Sequence, residues 1–196
     1  MTVGDGRVQS LTNYARSQVF HISLLYNLCL HNRRRRPWWS RIEPHLLLGA
    51  LPFRDKQHLE RLTKDENVRA VVTMNQPTEL LPNMFGSPVA PEDWASANVA
   101  QCFGTTNDFS PPSVDTIRRC VAFIHEHLER GETTYVHCKA GRGRSTVVVV
   151  AYLMQYRNMA IDDAYATVRR HRPHVSLHPK QYRILTAFQN TLERAN

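Results

Sequence analysis

The sequence contains no hydrophobic run long enough to cross a bilayer. The longest mostly apolar stretch near the N-terminus, Val19–Leu30, has 12 residues, whereas a membrane-spanning helix needs about 20. It also lacks the small-residue cleavage site of a secretory signal, because Arg33–Arg36 follows it instead. The stretch therefore predicts neither a membrane span nor a secretory signal.

Cysteine is scarce and shows no pairing pattern. The four cysteines have no paired spacing and form no Cys-x-x-Cys motif. This absence argues against a disulfide framework and favours reduced thiols in a reducing compartment. Cys102 and Cys120 fall within apolar patterns, so we expect both in the hydrophobic core.

Acidic residues are nearly absent from the first part of the chain. Residues 1–40 hold six arginines and one aspartate, a net charge of +5, while the remaining 156 residues carry only +3. We expect residues 1–36 to be a basic, partly apolar leader for mitochondrial import or membrane attachment. A disordered tail and a basic nuclear signal are the alternatives. Residues 37–196 have the length of one domain.

The domain alternates between short apolar runs and helical patterns. The runs are rich in valine and leucine and largely lack polar alternation, which is typical of a parallel sheet buried on both faces. Strands are predicted at His45–Leu48, Val68–Met74, Val99–Phe103 and Thr134–His137. Helices are predicted at Arg54–Lys64, Val114–Arg130, Ser145–Arg157, Asp162–Arg170 and Pro179–Arg194. The fold class is therefore α/β, a three-layer single domain with a mainly parallel central sheet.

The most informative segment joins the last predicted strand to the helix after it. Its sequence is His137, Cys138, Lys139, Ala140, Gly141, Arg142, Gly143, Arg144 and Ser145. A glycine-containing loop between a strand and a helix N-terminus points amide N–H groups at one centre, which suits a phosphate group. An arginine in that loop can hold two phosphate oxygens with its planar fork.

Cys138 lies at the start of this loop, where the positive potential of the amides, the helix N-terminus and the arginine favours the ionised thiol. Helix N-termini and neighbouring cations lower cysteine pKa values, and the thiolate is a strong nucleophile. Ser145 is placed to donate a hydrogen bond to the sulfur, and His137 is expected to orient the loop from outside. A lone cysteine after an apolar strand is usually a buried hydrophobe, but the joint pattern with Arg144 favours catalysis. This chemistry needs no metal or other cofactor.

The loop resembles that of the cysteine-dependent protein tyrosine phosphatases, in their dual-specificity branch. Further segments are similar to the mitochondrial protein tyrosine phosphatases, the phosphatidylglycerophosphate phosphatases of cardiolipin synthesis. These segments are Trp39, Arg41–Ile42, Leu47–Pro52, Glu66–Asn75 and His174–Ser176. The resemblance extends from about Trp39 to Phe188.

The resemblance implies a general acid upstream of the loop. Asp108 lies 30 residues before Cys138 in a proline-bearing loop, whereas Asp115 follows Ser113 in the first turn of a predicted helix. Asp108 is therefore the expected acid. Gln181 is a candidate for positioning the hydrolytic water, although a polar residue in a first helical turn is the simpler interpretation.

The resemblance also implies a phospholipid phosphate as substrate, specifically phosphatidylglycerophosphate. Lys139 and Arg142 add two cations beside Arg144, which suits a substrate with more charge than one phosphotyrosine. Where relatives often show Glu-Glu-Tyr-Glu, this chain has Gln76-Pro77-Thr78-Glu79. We further expect peripheral membrane association, a monomer, no nucleic acid, and a mitochondrial inner-membrane location facing the matrix, with a cytoplasmic location as the alternative.

Three other classes of function share parts of this pattern. A protein dual-specificity phosphatase or a phosphoinositide phosphatase would use the same catalytic residues. An RNA 5′-triphosphatase would also use the cysteine, but the near-neutral body of the chain argues against nucleic-acid binding. A non-catalytic phosphate-binding module would be expected to lack Cys138, Arg144 or Asp108.

Overall fold

The computed structural model describes residues 36–194. Apart from Arg36, the predicted leader lies outside these residues, and so does Cys29. Within the described part of the chain, no helix has both the length and the apolar character needed to cross a membrane.

A five-stranded sheet forms the centre of the domain, with strand order β1-β2-β5-β3-β4. The strands are β1 (Trp39–Glu43), β2 (Leu46–Gly49), β3 (Val68–Thr73), β4 (Ala100–Phe103) and β5 (Thr133–His137). β1 pairs antiparallel with β2, and the other neighbouring strands are parallel. The carboxyl ends of β2, β3, β4 and β5 therefore lie at one edge of the sheet.

The burial of each strand follows its place in the sheet. All residues of β2 and β5 are buried, and in β3 only Arg69 is exposed. These central strands confirm the prediction of strands covered on both faces. That prediction was wrong for β4, which is partly exposed because it lies at the edge of the sheet. β1 was not predicted, since its five residues include Ser40, Arg41 and Glu43 and show only a short alternation.

Six helices of residues 36–194 surround the sheet. They are α1 (His58–Glu60), α2 (Pro91–Ser96), α3 (Val114–Glu129), α4 (Arg144–Tyr156), α5 (Ile161–His171) and α6 (Pro179–Glu193). A 3₁₀ turn at Arg54–Lys56 precedes α1, a wider π-type turn at Arg61–Asp65 continues it, and another 3₁₀ turn spans Pro77–Leu80.

One helix predicted from the sequence was wrong, and one helix was not predicted. The single helix expected at Arg54–Lys64 is interrupted, because Gln57 adopts a left-handed conformation with φ 55°. α2 was missed because it has only six residues. The predicted cap of α3 is confirmed, since the Ser113 hydroxyl accepts the Thr116 amide at 3.1 Å. Gly131, with φ 73°, lies just beyond the C-cap residue Arg130.

The core lies on both sides of the sheet. One apolar cluster joins α3, α4, α5 and α6 to one face, and it contains Cys102, Cys120 and Cys138. A second cluster, which includes Leu62, Trp94 and Tyr135, covers the other face. α4 is buried from its first residue through Met154. This arrangement confirms the three-layer α/β prediction and fixes the N-terminus of α4 against the carboxyl edge of the sheet.

Candidate active site

The segment between β5 and α4, residues 138–143, forms a tight loop at the carboxyl edge of the sheet. Gly141 has φ 63°, and a Cβ atom there would overlap the carbonyl group of Gly49 at the end of β2. A side chain at this position would therefore push the loop away from the sheet. Gly143 is also restricted, because a Cβ there would lie 2.9 Å from the Gln181 Nε2 atom.

Cys138 lies buried at the base of this loop. The Ser145 hydroxyl donates a hydrogen bond to its sulfur at 3.2 Å, as the sequence predicted. Burial alone raises the pKa of the Cys138 thiol, but the charge of Arg144 and hydrogen bonds from Ser145 and the Arg142 amide outweigh that effect. The pKa of Cys138 is therefore lowered, which increases the fraction of the nucleophilic thiolate.

The Arg144 guanidinium is buried and held on several sides. It donates to the two carboxylate oxygens of Glu79 at 2.7 and 3.1 Å, which is a bidentate ion pair. It also donates to the Thr106 carbonyl at 2.9 Å. These contacts fix the orientation of the guanidinium plane beside Cys138.

Glu79 is positioned by its own short turn, Pro77–Leu80. Its carboxylate accepts hydrogen bonds from the Asn75 side chain at 3.0 Å and from the Gln76 amide at 2.9 Å. The Gln76 side chain in turn donates to the Asn107 side chain at 3.0 Å. The segment that departs from the related phosphatases therefore keeps an acidic residue, Glu79, that forms a bidentate pair with Arg144.

Asp108 is brought to the same place from the loop after β4. Its carboxylate forms ion pairs with the Lys139 ammonium group and, at 3.2 Å, with Arg144. Asp115 lies elsewhere, in the first turn of α3, where its side chain is 91% exposed and pairs with Arg118 at 3.5 Å. Of the two acids considered from sequence, only Asp108 contacts the loop.

His137 supports the loop from the strand side. Its Nε2 atom is hydrogen-bonded to the Thr73 hydroxyl at 3.0 Å across the β5–β3 pair. Burial lowers the pKa of His137 to about 3, so the ring is neutral at physiological pH. A buried, neutral imidazole fits the predicted role in orienting the loop.

The remaining loop residues contact the C-terminal part of the domain. The Arg142 Nε atom donates to the His174 carbonyl at 2.9 Å, and the Ser176 amide donates to the Arg142 carbonyl at 2.9 Å. Gln181 is buried in the first turn of α6, and its Oε1 atom accepts the His178 amide at 3.0 Å. Its amide nitrogen faces Gly143, so Gln181 both caps the helix and borders the loop.

Arg172 is a loop contact that sequence reasoning missed. It is buried just after α5, and its guanidinium donates to the Gly141 carbonyl at 2.8 Å and the Ala140 carbonyl at 3.3 Å. The same group reaches the Ser40 hydroxyl and the Trp38 carbonyl. In sequence, an arginine at a helix C-terminus is typical of an exposed cation that complements the helix dipole. Nothing in that local pattern signals its burial.

Together these residues form a site that can bind and attack a phosphate group. A cysteine with a lowered pKa, a fixed guanidinium and the N-terminus of α4 converge at one loop, with a carboxylate facing them. The amide groups and the guanidinium suit phosphate oxygens, and the sulfur is a nucleophile.

Known proteins are similar to this chain in sequence. The dual specificity phosphatase catalytic domain matches residues 94–191 of this chain. Phosphatidylglycerophosphate phosphatase PTPMT2 of Arabidopsis thaliana is 37% identical over 188 residues, which are 94% of this chain and 78% of the relative. Phosphatidylglycerophosphatase and protein-tyrosine phosphatase 1 of Rattus norvegicus is 36% identical over 180 residues, which are 89% of each protein.

A solved structure gives the same result for the fold. The crystal structure of PTPMT1 in complex with PI(5)P superposes with a TM-score of 0.74 at 36% sequence identity. The match covers 82% of this chain and 100% of that chain. The chain therefore belongs to the dual specificity phosphatase family and is a cysteine-dependent phosphatase.

Proposed function

We propose that this enzyme removes the terminal phosphate of phosphatidylglycerophosphate to give phosphatidylglycerol, through a phosphocysteine intermediate. The observation that carries the chemistry is the buried pair formed by Cys138, with its lowered pKa, and Arg144 at the two ends of one loop. Relatives whose names state this activity are similar over most of the chain, which supports the choice of substrate.

In the first step the Cys138 thiolate attacks the phosphorus atom. The sulfur–phosphorus bond forms while the bond from phosphorus to the glycerol oxygen breaks, and the protonated Asp108 carboxyl group gives its proton to that leaving oxygen. Arg144 and the loop amides hold the phosphate oxygens as charge redistributes. Asp108 already lies at 3.2 Å from Arg144, so it faces the position that the phosphate would occupy.

In the second step water cleaves the phosphocysteine. The Asp108 carboxylate takes a proton from the water, the new phosphorus–oxygen bond forms, and the sulfur leaves as a thiolate that Ser145 stabilises. Gln181 supports this step because its side chain borders Gly143 on the loop. Its side-chain amide orients the attacking water in this proposal.

The cations of the loop support a lipid phosphate with an additional negative group. Lys139 and Arg142 lie within the loop beside Arg144, and phosphatidylglycerophosphate carries a bridging phosphodiester besides its terminal phosphate. Arg142 is held by the His174 carbonyl on the side toward α6. We therefore assign the bridging phosphodiester of the substrate to the side of the loop that bears Arg142.

A substrate panel tests the proposal. We expect kcat/KM for phosphatidylglycerophosphate to exceed that for a phosphotyrosine peptide by about tenfold or more, because each extra charge-assisted contact contributes roughly 1.5–3 kcal/mol. Arg142→Gln should lower kcat/KM for this lipid about tenfold while changing hydrolysis of para-nitrophenyl phosphate little. Malachite-green detection of phosphate measures both.

The matched control is Arg170→Gln, which removes an exposed arginine from the last turn of α5. It should leave both substrates unaffected. A kcat/KM for the phosphotyrosine peptide that is higher by orders of magnitude would contradict the assignment of a lipid substrate. A higher kcat/KM for a phosphoinositide would assign the enzyme to that class of lipid instead.

Asp108→Asn tests the general acid. An amide cannot transfer a proton, so kcat should fall by about 10²–10⁴-fold while substrate binding persists. Asp115→Asn is the matched control, since its exposed carboxylate is remote from the loop. Steady-state kinetics on the same lipid distinguish the two, and near-normal turnover of Asp108→Asn would remove the assignment.

We further propose that the enzyme works as a monomer at the matrix face of the mitochondrial inner membrane. The basic, acid-poor leader supports this location.

A further inference from the structure

Large exposed apolar side chains are concentrated at one edge of the molecule. Among the residues that the structure describes, four are exposed, namely Leu81 (61%), Met84 (80%), Phe103 (41%) and Phe109 (59%). All four lie at the end of β4 or in the loops that follow β3 and β4. Because β3, β4 and β5 are parallel, this is the same edge at which β5 ends and Cys138 lies. We call these four residues the apolar rim.

Two members of the rim are tied directly to the active site. Leu81 follows Glu79, the partner of Arg144, by two residues. Phe109 follows Asp108, and the Lys139 ammonium lies 5.3 Å from the centre of its ring. The Gln76–Asn107 hydrogen bond joins the loop that bears Leu81 to the loop that bears Phe109. The rim therefore lies on the loops that build the site.

Phe109 and Met84 are exposed in loops with defined backbone conformations. Phe109 has φ 63°, a left-handed conformation that an aromatic residue adopts only at some cost. Met84 lies inside a turn closed by reciprocal amide–carbonyl hydrogen bonds between Asn83 and Gly86, at 3.1 and 3.0 Å. An exposed methionine and an exposed phenylalanine held in this way do not contribute to the core.

Two cations near the catalytic loop are not buried. Arg142 lies within the loop and is partly exposed, and Lys180 is exposed in the first turn of α6, next to Gln181, which borders Gly143. The acids Glu79 and Asp108 are both ion-paired with Arg144. Arg142 and Lys180 are therefore the groups that complement an anionic surface beside the rim.

Apolar side chains combined with cations are the features by which proteins bind a bilayer interface. The proposed substrate is anchored in a bilayer by its acyl chains, so its phosphate must be reached at the membrane surface. We propose that the apolar rim inserts into the interface of an anionic bilayer and thereby presents the catalytic loop to membrane-borne phosphate. This inference rests on the proposed function, and it concerns the catalytic domain itself rather than the leader.

The test uses the full-length chain carrying Leu81→Ser and Met84→Ser together, two exposed substitutions outside the catalytic machinery. Binding is measured by flotation with vesicles of phosphatidylcholine and phosphatidylglycerol. Kinetics are measured on phosphatidylglycerophosphate in the same vesicles, on a soluble phosphotyrosine peptide and on soluble para-nitrophenyl phosphate. We expect vesicle binding and vesicle kcat/KM to fall about tenfold, because apolar insertion contributes to both. Soluble turnover should stay within about twofold.

Met159→Ser is the matched control, since this partly buried methionine follows the C-terminus of α4, at the opposite edge of the sheet. Equal vesicle binding and equal vesicle kinetics in the double variant and the wild type would overturn the inference. A drop confined to phosphopeptide hydrolysis would also overturn it, since the rim would then be a protein-docking surface. Binding to phosphatidylglycerol vesicles involves no turnover, so this arm tests the rim even if the substrate assignment fails.

Discussion

Cys138→Ser should reduce hydrolysis of every phosphomonoester by about 10⁴-fold or more, which is the scale seen when an enzyme loses its nucleophile. The groups that lower the pKa of the Cys138 thiol, chiefly the charge of Arg144 and hydrogen bonds from Ser145, cannot bring an alcohol to ionisation near neutral pH. The oxygen is also a poorer leaving group than the sulfur in the second step. Phosphate release from the best lipid substrate is the measurement.

The fold should survive this substitution, because serine differs from cysteine by one atom and Ser145 remains within hydrogen-bonding reach. Circular dichroism and phosphate-analogue binding confirm that the loop is intact. Cys102→Ala provides the control, since Cys102 is a buried thiol of the same core cluster and takes no part in the proposed chemistry. Wild-type turnover in Cys138→Ser would refute the whole mechanism.

Arg144→Lys should reduce both activity and stability. A lysine retains the charge but cannot form the bidentate pair that Arg144 makes with Glu79, nor reach two phosphate oxygens at once. Loss of one fixed donor at a reacting group costs about 10²–10³-fold in kcat. Breaking a buried ion pair costs about 3–5 kcal/mol, although the retained charge should recover part of that free energy of unfolding.

Arg157→Lys is a matched control for the pair itself. Arg157 also binds a carboxylate with two nitrogens, at 3.0 Å to each oxygen of Glu43, but this pair is partly exposed and far from the loop. Replacing Arg157 with lysine should lower the free energy of unfolding by at most about 1 kcal/mol and leave kcat unchanged. Urea unfolding and steady-state kinetics on both variants provide the comparison. Equal losses in the two variants would mean that Arg144 has no special role.

The catalytic loop and the central sheet were predictable because their information is local. Cys138, Arg144 and Ser145 lie within eight residues of one another, and a strand and a helix with clear apolar patterns flank them. The buried strands β2, β3 and β5 were found for the same reason, since valine and leucine runs predict strands covered on both faces. Asp108 was distinguished from Asp115 by its proline-bearing loop.

The supporting contacts were not predictable, since they join residues far apart in the chain. Glu79 meets Arg144 across 65 positions, and Arg172 reaches Ser40 across 132. Neither carries a local pattern that marks burial. The interruption at Gln57 was also hidden, because a left-handed glutamine has no strong sequence signal. These features depend on how the sheet and helices pack, which single-sequence patterns do not specify.

The buried Arg172 guanidinium links the catalytic loop to the N-terminal end of the folded domain. It donates hydrogen bonds to the carbonyls of Ala140 and Gly141 in the catalytic loop, and to the Trp38 carbonyl and the Ser40 hydroxyl. Trp38, just before β1, and Ser40, within it, thus support the catalytic loop through Arg172, although they lie about a hundred positions upstream. Any proteolytic maturation compatible with full activity must accordingly cut ahead of Trp38.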